Sequence, residues 1–146
     1  MLILARHGRT TANAQRLLLG RMDLPLDELG HTQAAAVGAA LGASGDAPAR
    51  IVASPLLRTR ATAEAIAARC GLTVEFDERF LEVDYGEYDG APLAEVPHEV
   101  WQHWRTNIGW VPPGGESLAA VGERVRAACQ DYAEEAAERD VVIVTH

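Results

Sequence analysis

Two histidines stand directly behind apolar runs. Arg6-His7-Gly8 follows Leu2-Ile3-Leu4-Ala5, and His146 closes Val141-Val142-Ile143-Val144-Thr145-His146. Short apolar runs that break into polar or glycine-bearing sequence read as buried strands feeding loops. In open α/β sheets, ligands gather at the carboxyl ends of strands, so both imidazoles fall where reactive groups belong and can converge on one pocket. Ser54-Pro55 reads as a helix start, with serine as the N-cap and proline at the first helical position. That reading puts Arg58 in the first turn, where unpaired N–H groups and the positive end of the helix dipole favour a phosphate. Arginine suits the task better than lysine, because its planar fork can grip two phosphate oxygens at once. Each residue alone has an ordinary structural explanation: an exposed histidine, a helix-surface arginine, and Glu82 as one carboxylate of many. The combination points to phosphate chemistry. His31, His98 and His103 have no convergent partners and read as surface residues.

The elements that must position these groups alternate strand with helix. After the Leu2–Ala5 strand comes a helical stretch between Met22 and Gly45. Asp27 serves as its N-cap, Leu29, Ala34, Val37 and Leu41 follow at helical spacing, and Gly42 to Gly45 form a stop. Arg50–Ala53 is the second strand. The Ser54-Pro55 helix follows and ends at Gly71. Leu72–Phe76 is a third strand, 80–90 a glycine-punctuated loop, and 95–105 a helix. Pro112-Pro113-Gly114-Gly115 breaks the chain. Leu118, Val121, Val125, Cys129 and Tyr132 then mark an amphipathic helix before the strand Val141–Val144. This order predicts an α/β three-layer sandwich with a largely parallel central sheet flanked by helices.

With 146 residues the chain suits one domain that buries roughly 68–70% of its unfolded surface. Hydrophobic residues make up 48% and aromatics only 5%, so small residues must pack much of the interior. The net charge of −8 argues against nucleic acid and against a polybasic membrane anchor as partners, but it leaves room for a local basic pocket. Cys70 and Cys129 form no CxxC pair, which disfavours a disulfide framework or zinc site. The apolar start is too short for a signal-peptide core, and no run reaches the ~18 residues of a membrane span. The expectation is a cytoplasmic protein without metal or cofactor.

The ordered motifs also resemble the histidine phosphatase superfamily, also called phosphoglycerate mutase-like, over essentially the whole chain. The matching blocks are Arg6-His7-Gly8-Arg9-Thr10-Thr11-Ala12-Asn13, then Asp23-Leu24-Pro25-Leu26 with Gly30 and Gln33-Ala34. Ser54-Pro55-Leu56-Leu57-Arg58, the run from Leu81 to Gly90, Pro113-Gly114-Gly115-Glu116-Ser117 and the final strand with His146 follow. The resemblance implies that residues 1–146 are a single histidine phosphatase domain lacking the C-terminal part of the family domain. It implies that His7 is the nucleophile that becomes phosphorylated and Glu82 the general acid. Arg6, Arg58 and His146 would bind the phosphoryl oxygens with help from Asn13, and Gly20 and Arg21 would lie near the substrate. Arg9 replaces the family's usual Glu or Gln and would add positive charge at the pocket mouth. The block at Glu82 and the Pro-Pro-Gly-Gly-Glu-Ser stretch look most like the α-ribazole and broad-specificity acid phosphatase branch.

A nucleophilic imidazole splits a very slow hydrolysis into two easier displacements, while cations neutralise the equatorial oxygens. The arginines would lower the pKa of Glu82, and a bound phosphate dianion would raise it again, which predicts a mildly acidic optimum. The implied activity is hydrolysis of a small phosphorylated metabolite, and the resemblance is compatible with a homodimer. A phosphoglycerate mutase is the alternative, but mutases of the family carry a long insertion between acid and second histidine, and here Glu82 and His146 stand 64 positions apart. A non-catalytic phosphate-binding module would lack one of His7, Arg58, Glu82 or His146, and all four are present.

Overall fold

In the computed structural model, which describes residues 1–43 and 47–146, four strands form one parallel sheet. They are β1 (Leu2–Arg6), β2 (Arg50–Ala53), β3 (Val74–Phe76) and β4 (Val141–Thr145), in the order β1-β4-β2-β3. The last strand in sequence therefore occupies the interior of the sheet. It pairs with β1 from Leu2↔Val141 to Arg6↔Thr145, and with β2 from Arg50↔Val141 to Ala53↔Val144. A strand covered on both faces needs a continuous apolar run, and Val141 to Val144 are fully buried accordingly.

Side-chain alternation along the strands divides the core in two. Val142 and Val144 face Ile51, Ala53, Ala63 and Ile66 on one side. Val141 and Ile143 face Val52, Phe80, Ala128 and Tyr132 on the other. The first side is covered by α2 (Glu28–Ala43) and α3 (Leu57–Cys70), the second by α5 (Leu118–Glu138). The expected layers are present.

Local chemistry explains most element ends. Asp27 caps α2 by accepting from the Gly30 N–H at 2.8 Å, and Ser117 caps α5 by accepting from Ala120. Gly71 closes α3 in the left-handed conformation at φ 69°, where a side chain would be strained. Part of the glycine-rich stop expected at Gly42 to Gly45 lies outside the described residues. The first and last strands run one residue further than the sequence reading, to Arg6 and Thr145, and other elements differ more. The third strand starts at Val74, the 95–105 helix is α4 (His98–Thr106), and the loop after Phe80 contains a single 3₁₀ turn at Gly86–Tyr88. A four-residue helix, α1 (Thr11–Ala14), was not foreseen; Thr10 and Asn13 close it with a reciprocal capping box.

The start of α3 is the clearest correction. Its N-cap is Leu56, without a side-chain bond, and not Ser54. The Ser54 N–H instead extends the sheet ladder by donating to the Val144 carbonyl at 3.0 Å. Pairing with β4 carries the chain two residues further in extended form. Arg58 still falls in the first turn of α3.

Candidate active site

Three residues that follow strands are brought side by side by the order β1-β4-β2. The His7 N–H continues the ladder to the Thr145 carbonyl at 3.0 Å, Ser54 does the same to Val144, and His146 follows β4 between them. The His7 and His146 rings meet edge to face, centroids 5.2 Å apart. The loop after β1 is pressed on the first turn of α2. A methyl group on Gly8 would collide with the Gly30 backbone, and one on Gly30 with that of Arg9, so both positions need glycine. The Gly8 N–H donates to Thr62 Oγ1 on α3, which ties the loop after β1 to that helix.

Hydrogen bonds fix both imidazole tautomers. Nδ1 of His7 lies 2.7 Å from the Gly8 carbonyl oxygen, which can only accept, so Nδ1 carries the proton and Nε2 keeps its lone pair. Arg58 Nε donates to Nδ1 of His146 at 3.2 Å, so the proton of His146 is on Nε2, which donates to Ser54 Oγ at 3.0 Å. Burial, helped by Arg58 and Arg6 and opposed by the Gly8 hydrogen bond, pushes the pKa of His7 down to about 4. Burial and the same arginine push His146 down to about 2. At neutral pH His7 is an uncharged base with an open nitrogen.

Arg58 is fully buried, and its guanidinium is held on three sides. Besides Nε on His146, it donates to the Met22 carbonyl at 2.9 Å and the Gly20 carbonyl at 2.7 Å. These are neutral acceptors, and the nearby carboxylates of Glu82, Asp23 and Asp89 act on it only at a distance. Asp89 in turn accepts from the N–H groups of Gly20 and Met22, and Asp23 from that of Leu57, so the 20–23 loop is clamped around the arginine. Arg58 therefore has no carboxylate hydrogen-bonded to it that would neutralise its charge.

Two adjoining cavities share Arg6, His7 and Asn13 in their walls. One, of about 360 Å³, continues toward Arg9, Gln33 and Thr62. The other, of about 410 Å³, is closed by Glu82, Tyr85 and Leu17 to Leu19. Both fall in the range of small-molecule sites. Arg6 is exposed and has no ion pair among the described residues. Asn13 accepts from Thr10 N and Oγ1 through its oxygen, which leaves its amide hydrogens for a ligand. Burial raises the pKa of Glu82, outweighing the Val83 N–H and the arginines that favour its charged form. The sequence reading had the arginines dominate in the free protein; desolvation reverses that order.

Four expected residues have partners within the protein. Gly20 holds Arg58 through its carbonyl. Arg21 pairs with Glu116 at 3.0 Å, and Arg9 is neutralised by Asp27 at 2.7 Å. His146 has both ring nitrogens engaged by protein, Nδ1 by Arg58 and Nε2 by Ser54, and its ring meets that of His7. Residues to which the sequence reading gave no part in the site complete it. Ser54 receives the His146 proton. Arg124 donates to the Arg79, Leu81 and Glu82 carbonyls and to Glu116, fastening the segment that presents Glu82. Glu116 stood inside a quoted block, but nothing in the sequence singles out Arg124 among the charges of α5.

A family model for the histidine phosphatase superfamily, branch 1, matches residues 2–146. The chain belongs to the histidine phosphatase superfamily. Among its relatives in the superfamily, a probable phosphoglycerate mutase GpmB of Yersinia enterocolitica is 36% identical over 98% of this chain and 67% of its own length. A glucosyl-3-phosphoglycerate phosphatase of Mycobacterium tuberculosis is 34% identical over 99% and 69%. A solved mycobacterial glucosyl-3-phosphoglycerate phosphatase complexed with VO3 superposes with a TM-score of 0.90 at 34% identity, covering 99% of this chain and 74% of that one. The superfamily fold and an enzyme of this superfamily are therefore established. No helix among the described residues is long and apolar enough to cross a membrane, and no three His, Cys, Asp or Glu side chains among them gather as metal ligands.

Proposed function

We propose that the protein is a phosphomonoesterase that hydrolyses a small phosphorylated substrate through a phosphohistidine on His7. The supporting observation is the His7 tautomer: an uncharged ring with Nε2 bare, in a cavity that also holds Arg6, Asn13 and Glu82. The Nε2 lone pair forms the N–P bond as the ester P–O bond breaks. Glu82, whose pKa burial raises, gives its proton to the departing oxygen. Positive charge then develops on the phosphorylated ring and is shared through Nδ1–H with the Gly8 carbonyl. Arg6, Arg58 and the Asn13 amide neutralise the phosphoryl oxygens. In the second half, water attacks phosphorus, its proton returns to Glu82, and inorganic phosphate leaves with the imidazole restored.

Turnover of p-nitrophenyl phosphate by the wild type and by His7→Ala tests this, with trapping of an acid-labile phosphoenzyme. The expected result is steady hydrolysis and a trapped adduct that both vanish in the variant, by on the order of 10⁴-fold or more in rate. Hydrolysis that survives in His7→Ala would sink the reading. A mutase assay run in parallel with 2,3-bisphosphoglycerate as primer separates transfer to substrate from transfer to water.

A further inference from the structure

We propose that Gln33 and Thr62 are positioning residues for His7. They fix the two peptide groups on either side of Gly8, so that the Gly8 carbonyl stays on Nδ1 of the ring and Nε2 stays bare. This deepens the phosphohistidine reading and rests on it, because only an attacking imidazole needs its open nitrogen kept free of a proton.

The His7 tautomer depends on one acceptor, the Gly8 carbonyl at 2.7 Å. Position 8 admits no side chain, since a Cβ there would collide with the Gly30 carbonyl. A glycine rotates more freely than any other residue, so nothing in its own chemistry aims that carbonyl at the ring. Two helices supply the restraint. The peptide between His7 and Gly8 is held by the Gly8 N–H, which donates to Thr62 Oγ1 at 3.1 Å. The peptide between Gly8 and Arg9 carries the acceptor itself and is held from its opposite edge. There the Arg9 N–H donates to Gln33 Oε1 at 2.9 Å. N–H and C=O point opposite ways in a planar trans peptide, so fixing the one aims the other.

Each helix is shaped for this hold. Gln33 follows Gly30 by three residues, which places both on one face of α2. The face that presses Gly30 onto the Arg9 backbone therefore also brings the side-chain amide to the Arg9 N–H. The Arg9 carbonyl accepts from the Asp27 N–H at 3.0 Å, so both backbone polar groups of Arg9 are gripped from the start of α2. Thr62 is fully buried and stands one turn beyond Arg58 on α3. Its hydroxyl donates to the Arg58 carbonyl at 2.8 Å while accepting from Gly8, as one proton and a lone pair allow. One oxygen thus ties the backbone of Arg58 to the loop that aims His7. Gln33, Thr62 and Gly8 line the cavity of about 360 Å³ together with His7.

With the Gly8 carbonyl turned away, a neutral imidazole can carry its proton on either nitrogen. A ring protonated at Nε2 has no lone pair there for phosphorus. The loss falls on the chemical step, because Arg6, Arg58 and Asn13 keep their places.

Gln33→Leu and Thr62→Val remove the two side-chain acceptors, whereas Gln33→Glu and Thr62→Ser keep them. Imidazole nitrogen shifts of His7 are recorded on the unliganded proteins, and kcat and KM are measured with p-nitrophenyl phosphate. The wild type should show one tautomer with Nε2 unprotonated. In Gln33→Leu and Thr62→Val the shifts should report both tautomers in exchange. Their kcat should fall by about three- to tenfold with KM little changed, the size of one hydrogen bond. Gln33→Glu and Thr62→Ser should keep the wild-type spectrum. Gln33 is exposed, so Gln33→Leu carries the test even where the buried Thr62→Val does not fold. A His7 spectrum unaltered in Gln33→Leu, or a loss confined to KM, overturns the inference. The shifts need no turnover, so trapping of the His7 phosphoenzyme decides the phosphatase reading separately.

Discussion

The two halves of the site are built by different means. On the side proposed to hold the phosphoryl group, His7 and Ser54 continue hydrogen-bond ladders of a parallel sheet with His146 following the strand between them, and Arg58 is sealed between His146 and two loop carbonyls. On the leaving-group side, Glu82 sits in irregular chain between Phe80 and Pro92. Its position depends on side-chain clasps: Arg124 on three carbonyls, Glu116 on Arg21, Arg124 and the Asp84 N–H, and Asp89 on two further N–H groups. An aromatic cluster of Tyr85, Tyr88, Trp101, Trp104 and Trp110 packs behind it. A phosphoryl group has one shape in every substrate, and a rigid scaffold suits it. Leaving groups differ, and a segment held by a few polar clasps can change without rebuilding the sheet.

The sharpest way to break this contrast is Arg58→Met. It strands the Gly20 and Met22 carbonyls and the Nδ1 of His146, so a loss of about 3–5 kcal/mol is expected in denaturant unfolding. A loss below 1 kcal/mol would show that the sealed half is not a structural centre.

Acidity should then pull the halves in opposite directions. Between pH 6.5 and about 4 the unfolded chain protonates His7 while the native ring stays neutral. His7 therefore withdraws roughly 3 kcal/mol of stability as pH falls through that window. Glu82, whose native pKa is raised, binds its proton earlier in the folded state and adds stability on acidification. Thermal melts across this range should flatten in His7→Gln and steepen in Glu82→Gln; shifts of the same sign would contradict the assignment.

Arg124→Met loosens only the leaving-group side. We expect a stability loss of about 1–3 kcal/mol. The alkaline limb of the pH–rate profile should move to higher pH, because the Arg124 charge that lowers the pKa of Glu82 is gone, and His7 phosphorylation should still be detectable. The mildest change, Ser54→Ala, removes one acceptor at a cost of about 1 kcal/mol. Imidazole nitrogen shifts of His146 should report loss of its single tautomer, and an unaltered spectrum would discount the Ser54 contact.

The same contrast separates what was legible in the sequence from what was not. Strand-end positions are written in apolar runs, so His7 and His146 could be placed before any coordinates, and Asp27 and Gly71 marked helix ends by their own chemistry. Ser54 was misread because Ser-Pro signals a helix start locally, whereas its N–H was claimed by β4, 90 residues later in sequence. Arg124 and Asp89 were invisible for a related reason. Their partners are carbonyls and N–H groups of distant loops, which leave no periodicity or motif. The Glu82 shift depends on burial against three arginines, a balance that sequence cannot weigh.

One consequence of the strand order concerns how the molecule comes to exist. β1 pairs only with β4, so on a ribosome the first strand waits with an empty edge until Val141 onward has been made. Contacts of such long sequence separation form late and slowly. The nascent chain therefore cannot bring His7, Ser54 and His146 together until sheet closure, and maturation of the fold and assembly of the proposed site become a single step.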